Sequence, residues 1–124
     1  MAMRNDNVPC VVYQDQDSLS LSFACKLSGC AGWSVETVDP AFNNGAYADL
    51  AFNSFNQPYI SYYDANQGAL KIATRPGNSW EYHILDEGAL DVGRFTSIEV
   101  DSQDRVHVIY QNATDASIWH AIGR

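Results

Sequence analysis

Basic side chains are scarce in this chain: seven Lys and Arg stand against fifteen Asp and Glu, a formal charge of −8 over 124 residues. That sign repels phosphate backbones and anionic bilayers, so the composition argues against nucleic acid as a partner. Long hydrophobic runs are missing too. No stretch approaches the ~18 apolar residues of a spanning helix, so no membrane span is expected. The opening MAMRNDN has no apolar centre of a signal peptide. Its Met1 to Met3 read as a start with a cloning scar, which leaves an upstream export signal open. Charged residues are also few, at 18%, while 46% are hydrophobic, a balance that excludes a charge-swollen disordered tail and favours one folded domain.

Cysteine is limited to Cys10, Cys25 and Cys30, an odd number that excludes complete pairing within the chain. Four residues separate Cys25 from Cys30, which suits a disulfide across a short loop. The alternative is three reduced thiols in a reducing compartment; a bridged Cys25–Cys30 pair would instead favour an extracytoplasmic or secreted location. No histidine stands near the cysteines, so a zinc site is not expected, and no metal or cofactor is assigned.

The positive signal is an internal repeat. Residues 56–64, NQPYISYYD, align with 7–15, NVPCVVYQD, and with 104–112, DRVHVIYQN. Tyr13, Tyr62 and Tyr110 fall in register, 49 and then 48 residues apart. Trp33 keeps step with Trp80, Gly45 with Gly93, Tyr47 with Phe95, Leu50 with Ile98, Phe52 with Val100, and Ala24 with Ala73 and Ala121. Such a period identifies a repeat architecture.

Within each unit the pattern is strand-like. Residues 48–53 and 96–101 alternate apolar and polar side chains before polar turns, giving strand one. The aromatic runs 59–63 and 107–110 give strand two, residues 70–74 strand three and residues 80–85 strand four, with turns at 64–68 and 75–79 between them. Four short antiparallel strands in about 48 residues, repeated, describe a propeller blade. The expected fold class is therefore all-β, with β-propeller blades of four-stranded antiparallel sheets.

The pattern PYISYYDANQGALKIAT, followed by SWEYHILDE and DVGRFTSIEVDS, resembles the tandem propeller repeats of bacterial surface and secreted proteins. The resemblance covers almost the whole chain. His107 restores a histidine common in that repeat, whereas Cys10, Gln14 and Gln111 depart from its aromatic positions, so the resemblance by itself does not carry a tyrosine-based site over to those copies.

The units are expected as a partial blade over 7–39, a complete blade over 46–86 and a partial blade over 94–124, with three, four and three strands. A closed ring has about four to eight blades, so one chain cannot close it. The exposed edges predict association with copies of itself, most simply a dimer of three blades per subunit, with a marginally stable fragment as the alternative.

In a propeller, the loops after strands two and four crowd one face. Here they carry Asp15, Asp17, Asp39, Asp64, Asp86, Glu87, Asp91 and Asp115, eight of the fifteen acids. With the neighbouring aromatics they suggest a carbohydrate or peptide site built from Asp15, Tyr62, Tyr63, Asp64, Asp91, Tyr110 and Trp119, in which carboxylates bond hydroxyls and a ring stacks on the sugar. The competing reading makes the acids turn formers and the aromatics blade filling. Residues 64–68 have spaced oxygens like the start of a calcium loop but lack its closing glutamate. No activated serine or cysteine and no assignable carboxylate pair appears, and His83, His107 and His120 stand alone on strands, so a non-catalytic binding module is expected, with a structural or assembly repeat as the alternative and a glycoside hydrolase behind both.

Overall fold

Every regular element among the described residues is a β-strand. The computed structural model describes residues 1–26, 32–86, 91–114 and 116–123. Its strands are β1 (Ala2–Met3), β2 (Pro9–Gln14), β3 (Leu21–Lys26), β4 (Trp33–Asp39), β5 (Asn44–Phe52), β6 (Pro58–Asp64), β7 (Ala69–Thr74), β8 (Glu81–Asp86), β9 (Val92–Val100), β10 (Val106–Asn112) and β11 (Ser117–Gly123). All pairings are antiparallel between sequence neighbours, giving sheets β1-β2-β3-β4, β5-β6-β7-β8 and β9-β10-β11. These are three consecutive propeller blades, packed face to face.

Burial follows from that stacking. In the third blade β10 alternates between core and exterior, whereas six of the seven residues of β6 in the middle blade are buried, because a blade lies against each of its faces. One core cluster lies between blades one and two, with Leu21, Phe23 and Val38 meeting Leu50, Ile60 and Tyr62. The other lies between blades two and three, where Leu70 meets Val92, Ile98 and Val108.

The repeat extends to the stitching between blades. Asn7, Asn56 and Asp104 occupy one column, and all three have positive φ, at 64°, 59° and 59°. The Asn5 N–H donates to Asn56 Oδ1 at 2.8 Å, and one unit later the Ser54 N–H donates to Asp104 Oδ1 at 2.8 Å. Gly45 and Gly93 begin the inner strands at φ 85° and 103°, where an added Cβ would lie 2.9 Å from Leu21 Cα and 2.7 Å from Leu70 Cα. Only glycine combines that dihedral with so close an approach.

Two expectations need correction. The first sheet has four strands, not three, because Ala2 pairs with Cys10 and Met3 with Pro9, so this blade starts before residue 7. Two residues carry almost no periodic signal, which is why β1 escapes sequence reading. The second correction concerns the disulfide. Cys25 is bonded to Cys10, 15 residues away, so it is not available to Cys30, which lies outside the described residues. The β2–β3 register sets Cys10 directly opposite Cys25, with the Cα atoms 4.1 Å apart. Strand pairing, invisible in linear spacing, chose the partner.

Candidate functional site at the blade seams

The ends of β4 and β8 and the ends of β6 and β10 meet at one rim of the blades. Alternation along β6 sends Tyr62 toward blade one and Tyr63 toward blade three. At the first seam the Tyr62 hydroxyl donates to Asp39 Oδ2 at 2.8 Å. At the second, one repeat later, the Tyr110 hydroxyl donates to Asp86 Oδ2 at 2.8 Å. The same tyrosine–carboxylate unit therefore recurs where one blade ends and the next begins.

What stands beside that unit differs between the seams. In the first, Lys71 on β7 reaches Asp39 Oδ2 at 3.1 Å and Asp64 Oδ2 at 3.4 Å, with its ammonium 5.7 Å from the Tyr62 ring and 5.8 Å from the Tyr82 ring. The two buried carboxylates and the cation satisfy one another. In the second seam the position of Lys71 is taken by Trp119 on β11, a residue 40% exposed with its ring 6.3 Å from that of Tyr110. Among the described residues, Tyr110 alone bonds the Asp86 carboxylate. The second seam thus offers an aromatic face and, among the described residues, a carboxylate oxygen without a partner, whereas the first is filled.

Electrostatics follow the same geometry. Burial, and then the hydrogen bond to Asp39, pushes the Tyr62 hydroxyl far above the ordinary tyrosine range. Burial and the bond to Asp86 push Tyr110 up to about 12. Burial alone would raise Asp39, but the Tyr62 hydroxyl, the Ala41 N–H and Lys71 together hold its carboxyl below its usual value.

A third cluster lies toward the inner strands. The Tyr63 hydroxyl donates to Asp91 Oδ1 at 2.7 Å, and Arg94 Nη2 pairs with Asp91 Oδ2 at 2.7 Å while its guanidinium lies 5.4 Å from the Tyr63 ring. Tyr47 packs 6.0 Å from Tyr63 and 4.6 Å from Phe95, its counterpart in the next blade. Both exposed rings are carried on positive-φ positions, at 55° and 52°.

The residues singled out from sequence divide accordingly. Tyr62 lies with Asp64 at the first seam, Tyr110 with Trp119 at the second, and Tyr63 with Asp91 in the third cluster. Asp15 joins none of them: its carboxylate accepts from the Asp17 and Ser18 N–H groups and the Ser18 hydroxyl, closing a turn. Tyr62, Tyr63 and Tyr110 are buried, so they position carboxylates rather than present ring faces. Asp39, Asp86, Lys71 and Arg94 escaped selection. Aligning the strand ends by the repeat, which sets Asp39 and Asp86 in one column, is the signal that finds them.

Asp64 Oδ1 accepts the Asn66 N–H at 2.9 Å, and Asn66 Nδ2 donates to the Phe42 carbonyl, so residues 64–68 form a bonded turn. Among the described residues no group of three or more His, Cys, Asp or Glu is placed to hold a metal ion. Glu87 and Asp115 lie outside the described residues. The histidines are less isolated than expected, because β10 and β11 pair: His107 Nδ1 lies 3.2 Å from His120 Nε2, and His107 Nε2 lies 2.9 Å from Asp101 Oδ2.

No protein-family model matches the chain, and no curated protein matches it. Among solved structures, the fold is similar to that of a fucose lectin from Kordia zhangzhouensis in complex with methyl-fucoside. The TM-score is 0.63 at 16% identity, with 97% of this chain and 87% of that chain covered. At that identity the likeness concerns fold alone, and it agrees with the all-β propeller-blade architecture.

Proposed function

We propose that this chain is a non-catalytic carbohydrate-binding module, with its ligand site at the second seam. The observation that carries the reading is the exposed Trp119 ring beside the Tyr110–Asp86 pair. A sugar presents an apolar ring face and hydroxyl groups, and this seam supplies an indole for the first and a carboxylate for the second. The fold similarity to a fucose lectin supports this ligand class and makes methyl-fucoside the first probe. The wild-type chain should bind one of a panel of methyl glycosides saturably in calorimetric titration. Trp119→Ala and Asp86→Asn should each weaken binding by about tenfold or more, since a hydrogen bond to a charged group contributes ~1.5–3 kcal/mol. Undiminished binding in both variants would remove the site from this seam.

The module works, in this reading, as part of a ring completed by further copies, most simply a two-fold dimer with six blades. Blade one turns an outward face bearing Met3, Tyr13, Trp33 and Val35 away from the chain, and blade three turns Ile109, Ile118 and Ile122 away from it, all substantially exposed. By the repeat, these are the two halves of the interface that blades one and two, and two and three, already form. Apposing them head to tail would bury both apolar faces.

A further inference from the structure

The turn that joins the first strand of each blade to the second recurs with the same backbone bond. The Asn7 N–H donates to the Arg4 carbonyl at 2.9 Å, as Asn56 does to Asn53 at 3.1 Å and Asp104 to Asp101 at 3.0 Å. In the second and third copies the first residue of the turn also closes it with its side chain. Asn53 Oδ1 accepts from the Phe55 and Gln57 N–H groups, and Asp101 Oδ1 from those of Gln103 and Arg105. The first copy forgoes both bonds, because the guanidinium of Arg4 has no acceptor to offer. Arg4 instead bonds Asp6 Oδ2 through Nη2 at 2.8 Å, and its Nε is buried with no hydrogen-bond partner among the described residues.

This departure from the repeat borders a cavity. Arg4 lines a space of about 300 Å³ between blade one and the β7–β8 turn of blade two, together with Val8, Cys25, Lys26, Ser34 and Arg75. Three of the seven basic side chains of a chain with charge −8 therefore line one cavity. The two carboxylates that share it are already engaged. Asp6 takes one edge of Arg4, and Glu36 accepts from Arg75 Nη1 and, at 2.5 Å, from the Trp80 indole N–H. Two aromatic rings hold the Arg75 guanidinium in place, with Trp80 at 4.9 Å and Phe23 at 5.7 Å from it. Cations fixed in this way need little reordering to receive an anion, and a planar guanidinium matches the spacing of two oxygens on one centre.

We propose that this cavity binds a small oxyanion, the carboxylate or sulfate group of an acidic ligand, whose oxygens accept from Arg4 Nε and from the Arg75 guanidinium. Both faces of the site belong to adjoining blades of the same chain. It lies at the rim opposite the tyrosine–carboxylate seams and shares no residue with the Trp119 site, so it stands or falls apart from the sugar reading.

The test follows the arginine Nε–H resonances of the full chain by NMR while sodium sulfate or sodium acetate is added, with ionic strength held constant by sodium chloride. A resonance is read rather than a melting point, because sulfate strengthens burial in proteins generally. The Arg4 and Arg75 signals should shift saturably with at least one of the two anions, and the anion that binds more tightly identifies the group the cavity takes. In Arg4→Gln the affinity read from the Arg75 signal should fall by about tenfold or more, the loss expected for a charge-assisted bond. Shifts that do not saturate, or that chloride alone reproduces, would overturn the proposal. So would undiminished affinity in Arg4→Gln; should that variant fail to fold, the wild-type titration decides alone.

Discussion

A single column of the repeat separates a filled seam from an open one. Where blade two has Lys71 bonded to Asp39 and Asp64, blade three has Trp119, and among the described residues Tyr110 alone bonds the carboxylate beside it. Both residues sit on strands that sequence alternation places correctly, and Tyr110 and Trp119 are recognisable from sequence as neighbours of acidic loops. That Asp86 would be their partner was not, because an aspartate at a strand end reads equally well as a turn former. The buried hydroxyls carry a pH consequence. Tyr110 titrates at about 12, above the ordinary value near 10, so its neutral form is favoured by folding. Its contribution to stability is complete below pH ~10 and is lost as pH rises from there to about 12. Tyrosinate absorbance followed with circular dichroism should show tyrosine ionisation delayed into that window and coupled to unfolding. Tyr110→Phe should remove part of the coupling. Gly93 gives a second residue-scale test: Gly93→Ala forces a Cβ toward the Leu70 backbone at φ 103°, and should cost ~1–3 kcal/mol, read as a clear fall in melting temperature.

At the scale of elements, strands long enough to show alternation were legible and short ones were not. The regions read as strands one to four in the middle unit coincide with β5 to β8, to within a few residues at their ends. β1, with two residues, had no period to display. The cysteine pairing failed for a related reason: short spacing suggested Cys25–Cys30, but antiparallel register brings Cys10 against Cys25. Reducing that bridge should destabilise blade one by ~3 kcal/mol on the loop-entropy account for a 15-residue separation, and Cys10→Ser should melt lower by the same amount with or without reductant. Inner-strand burial makes a sharper demand. Ile98 is fully enclosed between Leu70 and Val108 in the second core, so Ile98→Asp should abolish soluble folding by burying an unpaired charge. A soluble, cooperatively melting variant would contradict the packing of β9.

At the scale of the molecule, the three sheets form an arc whose two ends are unlike its interior. Each internal interface buries a complete set of apolar residues, and each end face exposes one half of such a set, with Trp33 at 44% and Ile118 at 76% exposure. Tyr13, the first member of the tyrosine column, also lies on the outward face of blade one, where a neighbouring blade would complete a further seam. The repeat period makes this arc legible in the sequence, because a unit of about 48 residues fits between two and three times into the chain. The proposed ring rests on further copies completing this arc. Light scattering after size exclusion, at two protein concentrations, tests this most directly. The account predicts a discrete species at a small multiple of 13.7 kDa that persists on dilution. A stable monomer of 13.7 kDa at both concentrations would contradict it.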